Sequence, residues 1–81
     1  MITPATCRAA RGLLDMSQAD LATAASVGLS TVRSFEKGGT PIVNNLRAIQ
    51  TALESAGVEF IADSAASAPS GAGVRLRSRS D

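Results

Sequence analysis

The residues with most to offer chemically sit close together. From Leu29 to Lys37 the chain reads LSTVRSFEK, in which Val32 and Phe35 fall three apart and would be buried together. That leaves Leu29, Ser30, Thr31, Arg33, Ser34 and Lys37 facing outward. The three hydroxyls can donate to phosphates or to base edges with little selectivity of their own. An arginine in the middle of such a face, Arg33, could donate two parallel hydrogen bonds to guanine, a contact that discriminates by about 1–3 kcal/mol; it could equally meet a phosphate or solvent. Leu29 could pack against a thymine methyl, complete the core or serve a dimer contact. A helix with a purely structural role more often shows Glu–Lys pairs on its outer face. The same inventory argues against catalysis. The chain has no histidine, so Ser–His and Cys–His pairs are impossible, and its acids lack metal-ligand spacing. No Gly-rich phosphate loop follows a strand. No enzymatic activity, metal or cofactor is expected.

The elements needed to hold that face in place are legible on either side. Ser17 can cap a short helix, with Asp20 three residues on to bond back to the cap and face the positive end of the dipole. Leu21, Ala22 and Ala25 form its apolar stripe, and the small Ala22 suits a close helix crossing. Ser26, Val27 and Gly28 make a tight turn, with Val27 buried, and the next helix ends at Gly38, a left-handed cap position. Two short helices joined this way set the second one up to enter a DNA major groove. Upstream, Thr3-Pro4 opens a first helix to about Leu14, burying Cys7, Ala10, Leu13 and Leu14. Downstream, Gly39-Thr40-Pro41 is a loop, Ile42 or Val43 staples the next helix, and Asn44 or Asn45 caps it. That helix buries Leu46, Ile49 and Leu53 and ends at Gly57.

On Gln18, Leu21-Ala22, the triad Val27, Val32 and Phe35, then Glu36 and Gly38, the segment resembles the Cro/repressor-type helix-turn-helix family, also called the xenobiotic-response-element family. The likeness covers about Thr3 to Gly57. It implies a mainly α, lambda-repressor-like domain of four compact helices that binds double-stranded DNA. By the same resemblance, Gln18 at the start of the second helix would clamp a phosphate. Gly28, Leu29, Ser30, Thr31, Arg33 and Ser34 would form the reading head, and Lys37, Asn44 and Asn45 are placed for backbone contacts. Glu36 matches a family position that looks structural, with Arg8 or Arg11 as its type of partner. The chain departs from the family at Ser26, where relatives usually carry glycine, and at Leu29, where they often carry a hydrogen-bonding side chain.

Eighty-one residues suit one small domain with no room for a ligand-sensing module, and chains this short bury only about 60 % of their unfolded surface. Both aromatic residues are phenylalanine, so Leu, Ile, Val and Ala must build the core. The single cysteine, Cys7, reads as a small buried residue. No apolar run spans a membrane and no secretory signal opens the chain, so the expected location is the cytoplasm, on the nucleoid. Net charge is +1: residues 1–61 balance to zero, and the excess lies in the last twenty. That balance points to geometry-dependent rather than indiscriminate binding of a polyanion.

Residues 1–57 are thus expected to form the DNA-binding domain and 58–77 a β tail, with 78–81 frayed. Val58–Ala62 and Gly73–Arg77 alternate like strands around a loop at 63–72. A lone hairpin is marginal in water and leaves an edge open. Val58, Phe60, Val74 and Leu76 are therefore expected to build a dimer interface, the alternative being a tail packed on its own protomer. Arg75, Arg77 and Arg79 could extend a DNA footprint or line a solvated strand face. The reading is a homodimeric, sequence-specific regulator on a palindromic operator. Its rivals are an antitoxin-like autorepressor with a protein partner and an adaptor that does not bind DNA.

Overall fold

A computed structural model describes residues 2–62 and 72–77. Four helices, α1 (Pro4–Leu14), α2 (Gln18–Ala25), α3 (Leu29–Glu36) and α4 (Val43–Ala56), precede two strands, β1 (Val58–Ile61) and β2 (Gly73–Leu76). The mainly α fold with a C-terminal hairpin is the expected one. The expected loop at 63–72, all but Ala72, and the frayed end at 78–81 lie outside the described residues.

Local chemistry starts the first two helices. At α1 the Thr3 hydroxyl accepts from the Thr6 N–H at 3.1 Å, while Thr3 N–H donates to the Thr6 hydroxyl at 2.8 Å. Pro4, at the first helical position, loses no bond there. At α2, Asp20 N–H donates to the Ser17 hydroxyl at 2.9 Å and Ser17 N–H to the Asp20 carboxylate at 3.2 Å. Both helices stop at a residue in the left-handed region, Asp15 at φ 54° and Ser26 at φ 56°. Gly38, at φ 104°, follows α3 and turns the chain away, as expected.

Gly28 has φ −70°, ordinary extended backbone, so the turn does not need a glycine there. At α4 the expected cap is corrected: the helix begins at Val43 behind Ile42, with no side-chain cap, and Asn44 and Asn45 sit inside its first turn. Nor do Ile42 and Val43 staple the helix, being 68 % and 58 % exposed; this first turn projects past the packed layer.

The core joins all elements: Ile2, Cys7 and Ala10, then Leu21, Ala22 and Ala25, Val32 and Phe35, Ile49 and Leu53, and finally Val58. Leu14, Val27, Leu29 and Leu46 pack against it half-buried. Leu13, expected inside, is exposed. Cys7 and Leu14 are seven residues apart and share a direction, whereas Leu13 lies about 100° around the helix from Leu14. The small side chains of α2 admit its neighbours α3 and α4 closely.

The two strands pair antiparallel, Val58 with Leu76, Glu59 with Arg75, Phe60 with Val74 and Ile61 with Gly73. Their hairpin packs on α1 and α4. Val58 is 1 % exposed and belongs to the protomer core, which corrects its assignment to a dimer surface. Phe60 and Val74 lean half-buried on the same core, and Leu76 is 53 % exposed. The arginines tie the tail down. Arg75 pairs with Glu59 at 3.1 Å across the strands, and the Arg77 guanidinium donates to the Glu54 carbonyl in the last turn of α4, where the helix dipole favours a cation.

Ser26 holds a conformation that disfavours any Cβ-bearing side chain by about 1 kcal/mol or more. Ser26→Gly should therefore stabilise the domain by about 1 kcal/mol, read as a higher midpoint in thermal unfolding.

Candidate nucleic-acid interface

Glu36 closes α3 with its carboxylate turned inward, 5 % exposed. Arg11 of α1 grips it with two parallel bonds, Nε to Oε2 and Nη2 to Oε1, each 2.7 Å. Gln18 of α2 donates its amide to Oε1 at 3.0 Å, and the Cys7 thiol donates to Oε2 at 3.1 Å. Arg8 donates to the Glu36 backbone carbonyl. Arg11 also reaches the Met16 carbonyl at 3.1 Å, so one guanidinium holds both the α1–α2 link and the end of α3.

Protonation follows from these contacts. Burial alone would push the Glu36 carboxyl up. The bonds from Arg11, Cys7 and Gln18, with the arginine charge, outweigh it and hold the group below the usual carboxylate range. Burial, then the bond to Glu36 and its charge, pushes the Cys7 thiol up to about 12, so it stays a protonated donor. The Arg11 guanidinium is raised by its bonds to Glu36.

With its inner face so fixed, α3 presents its other side to solvent. Ser30, Arg33, Ser34 and Lys37 are exposed and Thr31 is half-buried. Arg33 makes no hydrogen bond or ion pair among the described residues. Next to this face lies a cavity of about 440 Å³ between α3 and the start of α4. Ser30, Thr31 and Ser34 form one wall; Thr40, Pro41, Ile42 and Asn45 form the other. Gly39 brings the walls together, its N–H donating to the Ser34 carbonyl at 2.8 Å. A Cβ at Gly39 would stand 2.4 Å from the Ser34 hydroxyl and 2.9 Å from its carbonyl oxygen.

The structure thus gathers Ser30, Thr31, Ser34 and Asn45 in one groove, with Arg33 and Lys37 on the same helix and its cap. Asn44 is exposed on the first turn of α4. Gly28 is exposed ahead of α3, and Leu29 lies half-buried against the core. Gln18 is half-buried with one amide hydrogen committed to Glu36. Sequence reasoning missed the convergence of Cys7 and Gln18 on Glu36, and also Gly39, Thr40, Pro41 and Ile42 beside the outer face of α3. The doubled glycine at 38–39, one more than a helix cap needs, was the available signal.

Two short helices at a tight turn, with an outward polar face on the second and a bundle behind, define a helix-turn-helix DNA-binding domain. The family model described as Helix-turn-helix matches residues 8–60, and the chain belongs to that family in its Cro/repressor-type form, a family of DNA-binding transcriptional regulators. No curated protein matches the chain. Among the described residues, no helix is long and apolar enough to cross a membrane.

Two outcomes are expected of these contacts. Because Glu36 titrates lower folded than unfolded, its contribution is fully present above the unfolded value near 4.3 and is lost as pH falls through the folded value. Urea midpoints should fall over that window, and less steeply in Glu36→Gln, which starts less stable at neutral pH. Gly39→Ala should cost about 1–3 kcal/mol by overpacking and weaken DNA binding together with the melting temperature.

Proposed function

We propose that this chain is a sequence-specific transcriptional regulator that binds a palindromic operator as a homodimer, α3 of each copy entering one major groove. The observation that carries the reading is Arg33, exposed and without a partner among the described residues, at the centre of a hydroxyl-bearing face. A guanidinium that no described residue holds is available for bidentate donation to a guanine. Ser30, Thr31, Ser34 and Asn45, lining the adjoining groove, suit a sugar–phosphate strand. Lys37 and Asn44 flank it, and the remaining amide hydrogen of Gln18 lies at the start of α2, where backbone N–H groups also favour a phosphate. Such contacts set register, while Arg33 carries base preference. Two copies would place their α3 helices about one turn, roughly 34 Å, apart. The nearly neutral domain fits binding that depends on this geometry and on two-fold avidity.

Selection from a random DNA pool, followed by anisotropy titration at several salt concentrations, tests the reading. The wild type should enrich a palindrome and bind it with a steep salt slope. Arg33→Ala should keep its fold, lose about 1–3 kcal/mol of preference at one base pair per half-site and retain weak binding. Lys37→Ala should weaken all sequences alike and flatten the salt slope by about one unit. Absence of any enriched motif would reject the proposal.

A further inference from the structure

The phase of the hairpin ladder determines which backbone groups it leaves unused. Arg77 donates its N–H to the Gly57 carbonyl at 2.7 Å. Gly57 and Arg77 are thus a hydrogen-bonded pair, and the register makes Glu59–Arg75 and Ile61–Gly73 the next ones. The N–H and C=O groups of Val74 and Leu76 point away from β1, where no further strand lies among the described residues. The corresponding positions on β1 are Val58, which is buried, and Phe60, which is half-buried, whereas β2 ends in the exposed run Arg75, Leu76 and Arg77.

We propose that this outer edge of β2 pairs antiparallel with the same edge of a second copy, about a two-fold axis through Val74, to make a four-stranded sheet ordered β1–β2–β2–β1. The proposal rests on the homodimer reading above and assigns it a surface and a register. Three features select a second copy and this alignment. The edge is self-complementary: Val74 exchanges both backbone bonds with the partner subunit's Val74, and Leu76 does so with the partner subunit's Ala72. Val74 and Phe60, half-buried in one protomer, become a continuous apolar row across the axis. Charge removes the alignments shifted toward Arg77, and one shifted the other way breaks the apolar row by setting Val74 against the partner's Ala72. An axis through Arg75 sets Arg75 against the partner's Arg75, and one through Leu76 sets it against the partner's Arg77; like charges directly opposite destabilise a sheet. With the axis through Val74, Arg75 instead faces the partner's Gly73. A Cβ built at Gly73 meets nothing within 4 Å, so among the described residues nothing occupies the place opposite Arg75.

Sedimentation velocity on the full chain, comparing wild type with Gly73→Lys and Gly73→Glu, tests the pairing. Gly73 has open space around it, so both variants should melt like the wild type. The wild type should be a dimer. Gly73→Lys puts a cation opposite Arg75 twice per dimer and should weaken association by about tenfold. Gly73→Glu should dimerise at least as tightly as wild type, with the gap between the variants closing in high salt. Equal dimerisation of the two variants would overturn the proposal, as would a wild type that stays monomeric where it saturates selected DNA. Arg33→Ala should dimerise normally. A charge-sensitive dimer that selects no motif would leave the strand pairing standing and remove the operator reading. A palindrome bound by a dimer indifferent to charge at Gly73 would do the reverse.

Discussion

Everything the outer face of α3 offers depends on a carboxylate that points the other way. Glu36 lies almost fully buried at the end of α3, and α1 and α2 both send donors to it. An ion desolvated to this degree is tolerated only when its lone pairs are filled and its charge is matched. The bidentate Arg11 supplies the charge, while Gln18 and Cys7 fill what remains. Each donor comes from a fixed place on its helix, so satisfying the carboxylate also fixes how three helices sit together. Hydrophobic packing of small side chains would leave that geometry looser, because Ala and Val surfaces fit one another in several ways.

That arrangement sorts the polar residues of the chain into two populations. Cys7, Arg11, Gln18 and Glu36 are spent on one another at the inner end, while Ser30, Arg33, Ser34 and Lys37 have their side chains outside. The groove beside α3 is a consequence of the same constraint. Once Glu36 anchors the C-terminal end of α3, the chain must turn at Gly38 and pass close over Ser34, where only a glycine fits at position 39. Thr40, Pro41 and Ile42 are thereby laid alongside the helix as the opposite wall.

The hairpin solves a different problem. Four short helices built largely from Ala, Val and Leu leave part of α1 and α4 uncovered, and the strands cover it through Val58, Phe60 and Val74. The tail is held by Arg77 on the Glu54 carbonyl of α4, while the Glu59–Arg75 pair within the hairpin is exposed and contributes little. Arg75 and Arg77, which in sequence could have been a footprint for a polyanion, thus have partners within the protein itself.

The sequence by itself determined the elements whose causes are local. The Thr3 and Ser17 capping boxes, the apolar spacing of Leu21, Ala22, Ala25, Val32 and Phe35, and the stop at Gly38 each depend on neighbours within one or two turns. So does the outward placement of Arg33, which follows from where Val32 and Phe35 must go. The start of α4 was not legible in this way: the helix begins at Val43, one residue ahead of the asparagines, and no side chain caps it. Tertiary structure alone decided the fate of residues whose partners are distant in the chain. Cys7 and Gln18 meet Glu36 across 29 and 18 residues, and Val58 becomes core because α1 and α4 leave a space for it. Periodicity says which side of an element is apolar; it does not say how far the neighbouring elements extend over that side. That is why Leu13, Ile42 and Val43 emerge exposed while Glu36 is buried.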